Sequence, residues 1–216
     1  MKKLIKVKIS YLLFIITAIV IVVFQATIPV FAYELFGYKL KGTWYDDYYY
    51  VAANSVTYNG TTVNYGNISL DAVRAWNEAV DSYSGHSLDI QLSKTYGSSS
   101  PQTRVVISPL DRGAIGWRGF AYYYDYNTST GEWIILNTGH YPNQDYKAGS
   151  AIINLYYVHS DPTWKIQNTM MHEMGHIFGL AHSNVSGALM VETSASYTSL
   201  KKPQNDDISG VRSIYE

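Results

Sequence analysis

HEMGHIFGLAH, residues 172–182, puts His172, Glu173, His176, Gly179 and His182 at spacings with a chemical consequence. On an α-helix, positions i and i+4 share a face, so His172 and His176 aim two imidazole nitrogens at one point, about 2.0–2.1 Å from each for a zinc ion. Gly179 lets the chain leave the helix sharply, which brings His182 round as a third ligand from a non-helical position. Three histidines leave the fourth corner of a tetrahedron to water. Glu173 follows the first ligand and stands beside the ion without ligating it. That is the position of a general base, which takes the proton of the attacking water and returns it to the leaving amine. Five fixed positions of this kind coincide by chance in about one chain in 10⁵ of this size. His86, His140 and His159 share no such spacing and read as surface or hydrogen-bonded histidines.

Outward from this segment, Asp161-Pro162 reads as the N-cap and first turn of the helix that carries the histidine pair, which should stop at Gly179. Upstream, strands are predicted at Leu88–Leu92, Arg104–Ser108, Phe120–Tyr126, Trp133–Asn137 and Ala151–Val158, with turn-rich pieces between them. Ser69 reads as the cap of an amphipathic helix beginning near Leu70, with Leu70, Val73, Trp76 and Val80 on one stripe. Asn59-Gly60 predicts a hairpin turn. The 21 tyrosines cluster in stretches rich in β-formers, so strand propensity explains them. A last helix should run from Asp206 or Asp207 to Tyr215, its acids complementing the helix dipole. The order is strand, helix, several strands, helix, with no internal repeat, which reads as one α+β domain.

The first thirty-two residues read as a segment apart. Lys2, Lys3, Lys6 and Lys8 precede a long apolar run that ends at Val30-Phe31-Ala32, the pattern of a signal peptide cleaved after Ala32. The competing reading is a retained anchor, because the 25 residues from Ile9 to Tyr33 carry no charge and suffice to cross a bilayer. Either way residues 33–216 leave the cytoplasm, by a bacterial-type export route since the chain has no cysteine. That absence also excludes thiolate metal sites and cysteine nucleophiles. Without residues 1–32 the chain keeps 12 basic against 17 acidic side chains, which argues against a nucleic-acid partner. Once the leader is gone no stable membrane association is expected, and the domain reads as a monomer.

These residues resemble the matrixin branch of the metzincin zinc endopeptidases, peptidase family M10. The five motif positions match, and Ser183 follows the third histidine as matrixins typically have it. Ala188-Leu189-Met190 is similar to the family's Met-turn, and NDDISGVRSIYE to its last helix. The resemblance implies a twisted five-stranded mixed sheet with two long helices and a small C-terminal subdomain bearing the last helix. It implies a single catalytic zinc on His172, His176 and His182, with Met190 as an apolar floor and Glu173 as the base. An extended polypeptide substrate would pair with the sheet's edge, expected in Gly116–Tyr124, with Asn168, Val191 and Tyr197 around the pocket for the residue after the scissile bond. Asp206 and Asp207 would tie the last helix to the Met-turn and the chain's start.

The chain also departs from the family. Latency through a propeptide cysteine is impossible here, and Glu34 is a substitute candidate only in principle. Val191-Glu192 stands where the family usually has a proline. Asp125, Asn127 and Ser129 alternate as calcium ligands do, but Gly131 is one place late for a calcium loop, so a hairpin turn is the better reading and Ca²⁺ stays an open second ion. The function expected is a secreted zinc endopeptidase acting on extracellular proteins. Two alternatives stand beside it: a zinc hydrolase of cell-wall peptides, and a non-catalytic zinc-stabilised binding module.

Overall fold

The computed structural model describes residues 33–41, 47–84, 92–94, 103–138, 141–193 and 197–215. The leader expected over residues 1–32, the strand residues 88–91, and His86 and His140 lie outside them.

The hairpin comes first in logic because Asn59-Gly60 forces it. Both residues take positive φ, 47° and 78°, joining β2 (Ser55–Tyr58) to β3 (Thr61–Asn64). The helix that follows, α1 (Tyr65–Ser84), starts a turn earlier than Ser69 suggested. Asn64 caps it, its Oδ1 accepting from the Asn67 amide at 2.9 Å. Ser69 is buried inside the helix and donates back to Tyr65 O at 2.6 Å, so its hydroxyl is satisfied locally rather than at an end. Val73, Trp76 and Val80 are buried as the stripe required, and Leu70 is half-buried.

One mixed sheet carries the domain. Its strands run in the order β4 (Leu92–Lys94), β1 (Asp47–Val51), β5 (Thr103–Leu110), β10 (Ala148–Asn154), β6 (Gly119–Asn127), β7 (Glu132–Ile135). The first four are mutually parallel and β6 is antiparallel to β10, giving the five strands expected. β7 is a sixth, folded back only on Tyr124–Asn127 of β6. The turn between β6 and β7 is held by Asn127, whose Oδ1 accepts from the Ser129 and Thr130 amides at 2.9 and 3.3 Å. That is the hairpin reading of the Asp125–Gly131 stretch. Two short strands, β8 (Asn137–Thr138) and β9 (Tyr141–Pro142), pair on the way back to β10.

Every residue of β10 is buried, as a central strand covered on both faces must be. It ends at Asn154, and Leu155–Val158, expected as more strand, form a one-turn helix, α2. The reason is local: Asn154 Oδ1 accepts from the Tyr156 amide and starts the turn. The long helix α3 (Thr163–Ile177) is not capped by Asp161. Pro162 occupies the cap position without a side-chain bond, and Asp161 is paired with Arg118 and with Lys165, because two cations compete better for a carboxylate than two amides do. From Ile166 to Ile177 nearly all of α3 is buried, which marks it as a core helix between the sheet and α1. Trp76 Nε1 donates to Met171 O at 3.0 Å and its ring meets Phe178 edge-on at 5.1 Å, locking the two helices together. Among the described residues no helix is long and apolar enough to cross a membrane.

Beyond Gly179, whose φ of 97° gives the predicted sharp exit, the chain forms a small subdomain closed by α4 (Asn205–Tyr215). Asp207, 1% exposed, accepts from the Leu189, Met190 and Gln204 amides at 2.9, 3.0 and 2.7 Å. Asp206 takes the Ser183 hydroxyl at 2.7 Å, while the segment around Glu34 and Phe36 is held by backbone bonds to Ala181 and Gly179 and not by either aspartate. Asp207→Ala leaves buried amides without acceptors, so the domain should lose about 3–5 kcal/mol. Asp207→Asn, which keeps one acceptor oxygen, should lose less. Urea denaturation of the two variants against wild type measures both.

Candidate metal centre and cleft

The three imidazoles come from two local devices, a helix and its glycine exit. His172 and His176 stack one turn apart on α3, and Gly179 returns the chain so that His182 closes on them. Their ring centroids lie 4.7, 5.2 and 4.9 Å apart, and one ligating nitrogen from each falls within 4.8 Å of the others.

Which nitrogen faces the shared point is set by the backbone. His172 Nδ1 lies 2.9 Å from Leu189 O and His176 Nδ1 lies 2.8 Å from Leu180 O. A carbonyl only accepts, so in both rings Nδ1 carries the hydrogen and Nε2 keeps its lone pair. Burial, with a smaller contribution from His182, pushes the His172 imidazole down to about 4, against the Leu189 bond. It is therefore neutral at pH 7, as a metal ligand must be. Three imidazoles with no thiolate among them, two held by carbonyls in the ligating tautomer, fit Zn²⁺ and leave room for a fourth ligand.

Met190, 1% exposed, packs against α3 at Gly175, one residue before His176. It fits because position 175 is glycine: a Cβ there would lie 3.2 Å from Met190 Cε and closer still to its sulfur. The Leu189 carbonyl that holds His172 and the two amides that Asp207 holds belong to the same turn, so α4 is coupled to His172 through the backbone of two residues, Leu189 and Met190.

Glu173 is 6% exposed, and burial pushes its carboxyl up to about 8. It opens on a cleft of about 480 Å³ that also contains His172, His176 and His182. One wall is Gly116–Ala121, running from the loop before β6 into the strand; on the side facing away from β10, Gly119–Tyr123 carries no strand among the described residues. Of the edge expected in Gly116–Tyr124, Gly116–Ala121 lines the cleft, while Tyr124 is already paired with Ile135 of β7.

The remaining predicted positions divide. Asn168 is fully buried and lines the cleft, but both ends of its amide are used, donating to Ser199 O at 3.1 Å and accepting from the Lys201 amide at 2.8 Å. Its first task is to tether the 199–201 segment. Tyr197 lines the cleft and its hydroxyl donates to Ala188 O and Leu189 O. Val191 is half-buried and outside the lining, which Glu192 and Thr193 supply instead. Glu34 accepts from Asn184 Nδ2 at 3.2 Å and joins no ligand group. Sequence reasoning missed Phe36 and Tyr141 in the lining; their rings sit 4.8 Å apart, with Phe36 5.5 Å from His176. They are far from the motif in the chain, and nothing local marks them.

With this geometry in hand, comparison with known proteins adds three findings. The family model described as Matrixin, peptidase family M10, matches residues 37–216. The hatching enzyme of Paracentrotus lividus is 48% identical over 44 residues, which are 20% of this chain and 8% of that protein. A chain in the solved structure titled "GM1 bound form of the ECX AB5 holotoxin" aligns with a TM-score of 0.45 at 16% identity, covering 77% of this chain and 78% of that one.

Proposed function

This chain belongs to the matrixin family, whose members are zinc-dependent metallopeptidases, and from that premise we propose that it is an exported endopeptidase cutting extended polypeptides with Glu173 as general base. The observation that carries the proposal is a buried carboxylate sharing one cleft with three imidazoles whose ligating nitrogens lie within 4.8 Å of one another.

His172, His176 and His182 would hold the ion. When bound, zinc supplies a Lewis acid that acidifies water and polarises a carbonyl. The protein supplies the rest. The edge of β6 receives the substrate backbone by strand addition, which orients a peptide bond against the carboxylate and gives affinity without reading side chains. Glu173 Oε accepts the proton of the attacking water, keeps it within the closed cleft and delivers it to the nitrogen of the departing amine. Glu192, Thr193 and Tyr197 shape the pocket beside the scissile bond, and Asn168, itself in the lining, holds the 199–201 segment in place. Export rests on the leader-like residues 1–32, and one zinc is the expected cofactor.

Two measurements test this. The purified chain should bind one zinc per molecule, and zinc should leave with a chelator and take the activity with it. A denatured protein mixture incubated with the loaded chain should acquire new N-termini, read by mass spectrometry. Cleavage of cell-wall peptides alongside an untouched protein mixture would overturn the substrate class, and absence of stoichiometric metal would overturn the mechanism.

A further inference from the structure

The outer edge of β6 is not open along its whole length. Tyr124 O accepts from the Lys147 amide and Arg118 O from the Asn154 amide, both at 2.8 Å and both toward β10, so alternation turns Gly119, Ala121 and Tyr123 outward. Asn137 covers two of these three. Its Oδ1 accepts from the Tyr123 amide at 2.8 Å and its Nδ2 donates to Ala121 O at 3.1 Å. One carboxamide therefore fills the donor and acceptor that a paired strand would fill with its own backbone. Tyr123 O is taken as well, by the Leu136 amide at 2.9 Å, and from Tyr124 onward β7 is paired.

The chemistry sits at the other end of the strand. Glu173 packs against Gly119, where a Cβ would lie 2.6 Å from its Cγ and 2.7 Å from its Cδ. Asn137 thus begins one outward position beyond the carboxylate, about 7 Å along the strand. Phe36 stands at the same end, its ring 6.0 Å from Tyr123 and 4.8 Å from Tyr141. In the antiparallel sense that β7 already uses on this edge, the amino-terminal side of a substrate points at Asn137 and its carboxyl-terminal side points toward Gly116–Arg118.

We propose that Asn137 is a specificity-determining residue that terminates the substrate-binding edge, so that the enzyme grips only about two residues before the scissile bond and reads its substrates mainly after it. The proposal rests on the peptidase reading above. It names a substrate class, polypeptides selected on the carboxyl-terminal side of the cut, including chains cut close to their own amino terminus.

The test is a length series of fluorogenic peptides built around one site found in the protein digest, extended residue by residue on either side. For wild type, kcat/KM should stop rising after the second residue on the amino-terminal side and keep rising on the other. Asn137→Ala, and Asn137→Asp through loss of the Nδ2 donor, should restore a gain on adding the third and fourth amino-side residues, about fivefold per recovered main-chain hydrogen bond. Zinc content and the far-ultraviolet circular dichroism spectrum confirm that the variants are folded. The wild-type series stands without any variant: a continued rise past the third amino-side residue overturns the proposal. So does a folded Asn137→Ala whose length profile matches wild type. A wild type that cuts no peptide of either series overturns the peptidase reading, and this inference falls with it.

Discussion

Replacing Glu173 with alanine is expected to lower kcat/KM for a peptide substrate by about 10³- to 10⁴-fold while leaving bound zinc and the folded structure unchanged. The loss is large because one buried carboxylate serves both proton transfers. The three imidazoles would hold the ion: two of them donate their Nδ1 hydrogens to Leu189 O and Leu180 O, and one ligating nitrogen from each of the three lies within 4.8 Å of the others. The metal remains because Glu173 is not one of the ligands. Stability should move little, since a carboxyl that burial lifts to about 8 gains nothing from being buried, and removing it trades that penalty against a small void. Glu173→Gln, of the same volume and without basicity, should be as inactive as the alanine variant, which separates proton transfer from packing. Kinetics with one fluorogenic peptide and zinc analysis by atomic absorption read both halves. If the variant cleaves as fast as wild type, the general-base assignment is lost, and any activity belongs to other groups. If both proteins are inert yet loaded with zinc, the non-catalytic module becomes the better description.

Much of this site could be read from the sequence because it is built from short-range geometry. Two histidines four apart on a helix need only the helix, and the helix needs only its apolar run and a glycine to end it. Asn59-Gly60 is a further case, where the residues permit one turn and the turn sets the hairpin. What could not be read depends on partners distant in the chain. Ser69 is a good cap by composition, but Asn64 lay one turn upstream with the same chemistry, and the sequence does not rank them. Asp161 is an equally good cap until Arg118, more than forty residues away, offers a stronger bond. The strand predicted through Val158 stops at Asn154 for a similar reason: the residue's side chain serves the Arg112 and Tyr156 amides and the carbonyls of Gly113 and Trp117 at once, and this network, not β-propensity, ends the strand. Asn137 is the same kind of case, an unremarkable polar residue until β6 is laid beside it.

Gly119 yields the second large effect, and it isolates position from chemistry. Its φ is not in the left-handed region, so the backbone itself would accept alanine. The obstacle is Glu173, whose Cγ and Cδ lie 2.6 and 2.7 Å from where the new methyl would stand. Glu173 sits on a helix buried on nearly every side, so the helix does not yield and the carboxylate must swing away. Displacement of a catalytic group by about 1 Å costs on the order of 10²-fold, and that is the loss in kcat expected for Gly119→Ala. Overpacking should also cost about 1–3 kcal/mol of stability. The discriminating measurement is the double variant. Once Glu173 is alanine the clash has no second partner, so Gly119→Ala added to Glu173→Ala should lower neither the residual activity nor the stability much further. The two lesions would then be strongly non-additive, with the combined protein close to Glu173→Ala alone. Losses that multiply instead would mean that the methyl obstructs the substrate on the β6 edge rather than the carboxylate. A fully active Gly119→Ala would mean that neither the edge nor the base is held as closely as the packing of Glu173 against Gly119 requires.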